Sequence, residues 1–145
     1  MIVDYSTRPV RITREINELV GKPFSFKMRL IMRGIGSHRM KIEKSSIEIY
    51  EKLSKFQQIK YGSVELRPKG ILVHFKDNLT HWVWVIPYYK LVLYQTDYDS
   101  IHADGNFLNF NKVSLKQTND LFFKKILNLR NEFMEKNYSG GPNSY

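Results

Sequence analysis

The sequence predicts a single α+β domain in which an antiparallel sheet of hairpins and one long C-terminal helix bury each other behind a basic, mainly helical front. Three observations predict it. Hydrophobic periodicity is helix-like up to about residue 62 and alternates after it. Turn signals recur between the alternating segments from 63 to 113. A wide apolar face at helical spacing then closes the chain. Charge changes at the same boundary: residues 1–62 carry thirteen Lys/Arg against six Asp/Glu, residues 63–113 five against five, and residues 114–145 five against three. With 145 residues, 42% of them hydrophobic, the chain suits one domain over 1–138 that buries roughly 70% of its unfolded surface. The boundary therefore separates two layers of one fold rather than two domains.

Ile12, Ile16, Leu19 and Val20 fall at helical spacing, Thr13 is placed to cap, and Gly21-Lys22-Pro23 stops the segment, which predicts a helix over 13–20. Phe24 to Arg33 fits both a strand (Phe24, Phe26, Met28, Leu30, Met32) and a helical stripe (Phe24, Met28, Ile31, Met32, Ile35). Pro23 at the first helical position and Gly34 and Gly36 at the end favour the helix. Ser45 and Glu48 have capping-box spacing ahead of a third helix over 46–58, whose Ile49, Leu53 and Phe56 face the core.

The rest reads as strands. Val64 to Arg67 alternates, Pro68-Lys69-Gly70 turns, and Ile71 to Phe75 continues. Asp77-Asn78 reads as a two-residue turn into Thr80 to Ile86, which sets Val73 opposite Trp82 and His74 opposite His81. Both indoles then share the core face with Phe75. After Pro87 breaks the pairing, Leu91 to Tyr94 resume it, and Asp104-Gly105 turns a last tight hairpin between Ile101 and Leu108. Thr118 or Asn119 caps a helix over 119–137 with Phe122, Phe123, Ile126, Leu129 and Phe133 on its apolar face. The tail 139–145, rich in Gly, Ser, Asn and Pro, is expected to be disordered.

Several function classes lose their basis at once. No cysteine is present, which removes disulfides, thiolate metal sites and cysteine nucleophiles. Neither a nucleophile elbow nor a phosphate loop occurs, and no paired carboxylates fall at helical spacing in an apolar setting. The expectation is a protein without catalysis, cofactor or metal. His74 and His81 form the sharpest local pair, yet two imidazoles alone rarely hold a transition metal, so ordinary surface histidines are the favoured reading. No apolar run reaches the roughly 20 residues of a membrane span, and the opening residues lack the apolar stretch of a secretory signal, so a cytoplasmic address is expected.

The net charge of +9 favours an anionic partner. Lys27, Arg29, Arg33, Arg39, Lys41 and Lys44 stand against Glu43 alone, interleaved with Met28, Met32, Ile35 and Met40. The stripe Phe24, Met28, Ile31, Met32 and Ile35 either packs on the domain's own sheet, the favoured account, or enters a membrane interface beside anionic headgroups. Nucleic acid is the runner-up, with Tyr88, Tyr89, Tyr94 and Tyr98 as a conceivable stacking platform.

Taken in order, Val64 to Ile71, Trp82 to Tyr88, the Ser100 to Phe110 hairpin and the apolar terminal helix resemble a bacterial pleckstrin-homology-like domain over about 60–137. The resemblance implies a strongly bent, partly open antiparallel sheet plugged by its C-terminal helix, and a domain that binds lipids, peptides or proteins rather than catalysing. Phosphoinositide-binding members place Lys/Arg around the loop between their first two strands, where this chain has Arg67 and Lys69, with Lys76 further along. The expected anion-facing set is therefore Lys27, Arg29, Arg33, Arg39, Lys41, Arg67 and Lys69, turned towards a membrane surface, such as the inner membrane face, or an acidic protein. Self-association is compatible with the same reading.

Overall fold

The computed structural model describes residues 1–53, 55, 58–112 and 116–138, of which 116–119 by backbone alone. Along the chain run β1 (Ile2–Asp4), α1 (Val10–Val20), α2 (Phe26–Ile31), β2 (Met40–Ser45), α3 (Ile47–Lys52), β3 (Tyr61–Arg67), β4 (Gly70–Asp77) and β5 (Thr80–Pro87). A 3-10 turn at Tyr88–Lys90 leads to β6 (Val92–Gln95), β7 (Asp99–Ala103), β8 (Asn106–Phe110) and α4 (Lys116–Tyr138). The strands make one antiparallel sheet in the order β1-β5-β4-β3-β2-β8-β7-β6.

β2 is the fold's pivot. Met40 and Lys41 pair with Gly62 and Tyr61 of β3, whereas Ile42 to Ser45 pair with Phe110 to Leu108 of β8, and a register irregularity lies between Ile42 and Lys44. A bulge of this kind bends the strand and increases its twist. The two wings of the sheet consequently face one interior: Val64, Leu66, Val73, Phe75 and Trp84 from one side, Ile101, Leu108 and Phe110 from the other, and Phe122, Phe123 and Ile126 of α4 between them. Trp82, Leu129 and Phe133 pack at its margin. The expected burial of the indoles is met by Trp84, which shares the interior with Ile126, whereas Trp82 is only half-buried.

The front is less helical than expected, because it contributes β1 and β2 to the sheet. In β2, Met40 and Ile42 are buried while Lys41 and Glu43 lie at the side, a period of two too short to stand out among basic neighbours. α1 starts three residues early, after Pro9, and Thr13 lies inside it with Oγ1 donating to the Pro9 carbonyl at 3.1 Å. Ile16 and Val20 of α1 cover Leu72, Val83 and Val85 on the sheet's outer face. α2 is one short helix capped by Ser25, whose Oγ accepts from Met28 N at 3.3 Å. α3 ends at Lys52 because Leu53 is already extended; Ile49 and Leu53 are buried as expected, and Phe56 lies outside the described residues. The capping box does not form. Ser45 is the last residue of β2, and the Ser46 hydroxyl and Glu48 carboxylate both bind the Asn106 side chain, at 2.7 and 2.9 Å.

The β4–β5 hairpin differs from expectation by one residue in its turn. Asp77 pairs with Thr80, so Asn78-Leu79 turns, with Asn78 at a left-handed φ of 42°, a conformation asparagine tolerates better than most residues. Moving the turn by one residue moves every pairing by two: Val73 faces Trp84, Phe75 faces Trp82, and His81 faces Lys76 instead of His74. A shift of two keeps each side chain on its face. The expected Asp104-Gly105 turn is present, with φ of 50° and 79°. The Thr118 or Asn119 cap and the 139–145 tail lie outside the described side chains and residues, and α4 begins at Lys116.

Candidate functional site: a histidine-lined basic cleft and an exposed basic helix

α1 covers only part of the outer face of the sheet. On the uncovered part, strand alternation sets Tyr61, Ser63 and Glu65 of β3 beside His74 and Lys76 of β4 and His81 of β5. Polar side chains stand there because this face meets water beyond the end of the helix.

A continuous chain of hydrogen bonds crosses it. Arg67, 7% exposed, donates from Nε to Glu65 Oε2 at 2.6 Å and from NH1 to Asn17 Oδ1 at 3.0 Å and to the Gly21 carbonyl at 2.9 Å. Arg67 thus ties the end of α1 to the sheet. Glu65 Oε1 lies 3.2 Å from His74 Nε2, and His74 Nδ1 lies 2.9 Å from His81 Nε2, the rings stacked with centroids 5.1 Å apart. Burial alone would raise the Glu65 pKa; the hydrogen bonds from His74 and Arg67, with the charge of Arg67, overturn it and hold the carboxyl at about 2. An ionised carboxylate only accepts, so His74 Nε2 donates to it. Neutral His74 then accepts at Nδ1 from His81 Nε2–H. A protonated His81 keeps the same contact, because Nε2–H remains the donor. Burial, followed by the charges of His74, Lys76 and Arg8, lowers the His81 pKa against the opposing Asp4.

Beside the histidines opens a cleft of about 390 Å³ lined by Arg39, Lys60, Tyr61, His74, Lys76 and His81 among others. No Asp or Glu is among its described lining residues. The Arg39 guanidinium lies 4.5 Å from the centre of the Tyr61 ring, which restrains it over the cleft.

The second basic feature is α2. Phe24, Met32 and Ile35 pack against the core, but Phe26 is 77% exposed, Leu30 65% and Ile31 64%. The expected apolar stripe is therefore split: its two ends enter the core, and Met28 and Ile31 stay outside. Lys27, Arg29 and Arg33 surround the exposed side chains, and among the described residues no acid pairs with any of them. Lys125 of α4 reaches the Arg33 and Gly34 carbonyls at 3.4 and 3.3 Å, which brings a further cation to this end.

The seven residues expected to face an anion do not form one surface. Lys27, Arg29 and Arg33 lie together at α2. Arg39 belongs to the cleft. Lys41 pairs with Glu43 at 3.3 Å. Lys69 sits on the β3–β4 turn against the Glu18 carbonyl at 3.5 Å. Arg67 is enclosed and committed to Glu65 and α1. Of the four tyrosines, Tyr88 is buried, its hydroxyl donating to the Arg67 carbonyl at 2.9 Å, and contributes no stacking surface.

Comparison of the chain with family models, with curated proteins and with solved structures returns no match. The cleft and the helix must speak for themselves. Sequence reasoning paired His74 with His81 but missed Lys60, which comes from a separate segment, and grouped Lys76 with the β3–β4 loop rather than with the histidines beside which it stands. Among the described residues no three His, Asp or Glu side chains converge as metal ligands, and both nitrogens of His74 are used within the chain of hydrogen bonds. No described helix is long and apolar enough to cross a membrane.

Proposed function

We propose that this chain is a pleckstrin-homology-like, non-catalytic binding domain that docks on an anionic lipid surface through α2. The bent antiparallel sheet, with α4 packed into the opening between its wings, supports the pleckstrin-homology-like reading. The observation that carries the membrane reading is the exposure of Phe26, Leu30 and Ile31 on a helix ringed by Lys27, Arg29 and Arg33. Apolar side chains so placed gain about 1.5–3 kcal/mol each on leaving water, and each cation gains about 1 kcal/mol beside an anionic leaflet. Neither contribution alone anchors a protein; together they give reversible peripheral attachment. Mixed chemistry of this kind favours lipid over a nucleic acid, which would use the cations and leave the apolar side chains in water.

Vesicle flotation tests the reading. Binding to vesicles containing phosphatidylserine is expected to weaken with salt and to fall about tenfold or more in a Phe26→Ala/Leu30→Ala variant. Binding that ignores lipid charge and salt overturns it. A salt-sensitive gel shift with nucleic acid, lost on changing Arg29 and Arg33 to Ala while vesicles are ignored, replaces it with the nucleic-acid reading.

A further inference from the structure

We propose that the cleft on the outer face of the sheet, where Arg39, Lys60, His74, Lys76 and His81 meet, is a binding site for a phosphate-bearing small molecule. The site is separate from α2, and the proposal does not rest on membrane docking.

Four features carry it. The lining gathers three full cations and two imidazoles from β4, β5 and the segments leading into β2 and β3, with no acid among its described members. Glu65 is the carboxylate nearest the histidines through hydrogen bonds, and it stands behind His74 with its charge balanced by Arg67. The field in the cleft therefore remains positive. Its volume, about 390 Å³, falls in the range of roughly 300–1,000 Å³ typical of small-molecule sites. Tyr61 supplies an aromatic wall with Arg39 held over it, so a ligand larger than a bare ion finds an apolar surface next to its charge partners. Arg and Lys together provide the charge-assisted hydrogen bonds that phosphate oxygens take best.

The histidine pair adds a dependence on pH. His81 Nδ1 makes no hydrogen bond among the described residues, so a proton taken up there provides a cation and a donor at the cleft together. The charged groups facing His81 are Asp4 and Arg8 from the segment around β1, His74 and Lys76 from β4; the Tyr5 ring also packs on it. Asp4 is itself engaged by the Ser6 backbone N and hydroxyl, at 3.0 and 2.6 Å. A dianion in the cleft supplies the missing negative charge, favours protonation of His81 and binds more tightly as pH falls.

NMR titration of the full chain at low salt with pyrophosphate, and with sulfate, whose charge is constant between pH 6 and 8, provides the test. Saturable binding is expected, with sulfate tighter at pH 6 than at pH 8. Lys76→Gln and His81→Gln are expected to weaken it about tenfold each, with circular dichroism confirming that both variants are folded. Vesicles bearing phosphomonoester headgroups form a second arm: competition with pyrophosphate identifies the ligand as a headgroup, and lack of competition identifies it as a free solute. Both results uphold the site. Absence of saturable binding, or binding that neither variant changes, overturns it. The Phe26→Ala/Leu30→Ala variant is expected to retain pyrophosphate binding, so this proposal and the membrane reading fail separately.

Discussion

His74 Nδ1 lies 2.9 Å from His81 Nε2 even though the two residues are diagonal on β4 and β5, His74 facing Val83 and His81 facing Lys76 across the ladder. Diagonal neighbours are reached only by long or aromatic side chains, and here the reach sets how the pair titrates. Burial and then the His74 charge hold the His81 pKa below its usual 6.5. NMR titration of the His81 Cε1 proton is expected to give a midpoint below that value. In a His74→Gln variant the midpoint rises but stays below 6.5, since burial remains. A wild-type midpoint at or above 6.5 contradicts the arrangement.

Glu65 holds the other end of the chain. Its folded pKa of about 2 lies below the 4.5 of a free glutamate, so the stability it contributes is fully present above 4.5 and is lost as pH falls through about 2. His81, also lowered, acts in the same direction at higher pH: its contribution is present above 6.5 and declines as pH falls through the folded value. Glu65→Gln leaves Arg67 enclosed without its counter-charge and is expected to cost about 3 kcal/mol at pH 7. Urea denaturation checks the loss, and the variant is also expected to lose the Glu65 share of the acid dependence between pH 4.5 and 2, leaving that of Asp4 and Glu43, whose pKa values are also lowered. A loss under about 1 kcal/mol would show that Asn17 and the Gly21 carbonyl satisfy Arg67 by themselves.

The legible parts of this fold are those in which local chemistry and tertiary burial agree. Asp104-Gly105 demands a tight turn wherever it sits, and Phe122, Phe123 and Ile126 share one helix face in any context. β2 was not legible, because two buried side chains out of six are too few to separate a strand from a basic connector. The β4–β5 register was legible in its faces but not its pairs: Asp77-Asn78 and Asn78-Leu79 both offer two-residue turns, and strand pairing settles the choice. At the site, the closeness of His74 and His81 was legible from alternation. The engagement of Arg67 was not, although Glu65 two residues before it on the same strand face was the one local sign of a partner.

Gly70, expected within the Pro68-Lys69-Gly70 turn, is the first residue of β4, and the turn itself is Pro68-Lys69. Its requirement is for space. A Cβ there would strike the Ile86 carbonyl oxygen and lie 2.6 Å from Val20 Cγ1 and 2.9 Å from Pro87 Cα. Backbone on one side and the end of α1 on the other leave little room to relax. Gly70→Ala is expected to destabilise by about 3 kcal/mol, read by urea denaturation. A change below about 0.5 kcal/mol would mean that α1 lifts from the sheet freely.

Asp99 supplies the opposite pH sign. It opens β7, is completely enclosed, and among the described residues no donor closes a hydrogen bond on it. The Lys112 ammonium, at 3.6 Å, and the cross-strand Gln95 only partly offset its burial, which together with Asp120 raises its pKa above the usual 3.8. A raised folded pKa contributes stability that is fully present below 3.8 and is lost as pH rises through the folded value, so ionised Asp99 weakens the fold at neutral pH. Asparagine keeps the shape and carries no charge, and Lys112, partly exposed, can turn its ammonium to water. Asp99→Asn is therefore expected to raise the melting temperature at pH 7, with the gain shrinking towards zero below pH 3.8. A lower melting temperature at pH 7 would instead show that attraction to Lys112 outweighs the cost of burying the carboxylate.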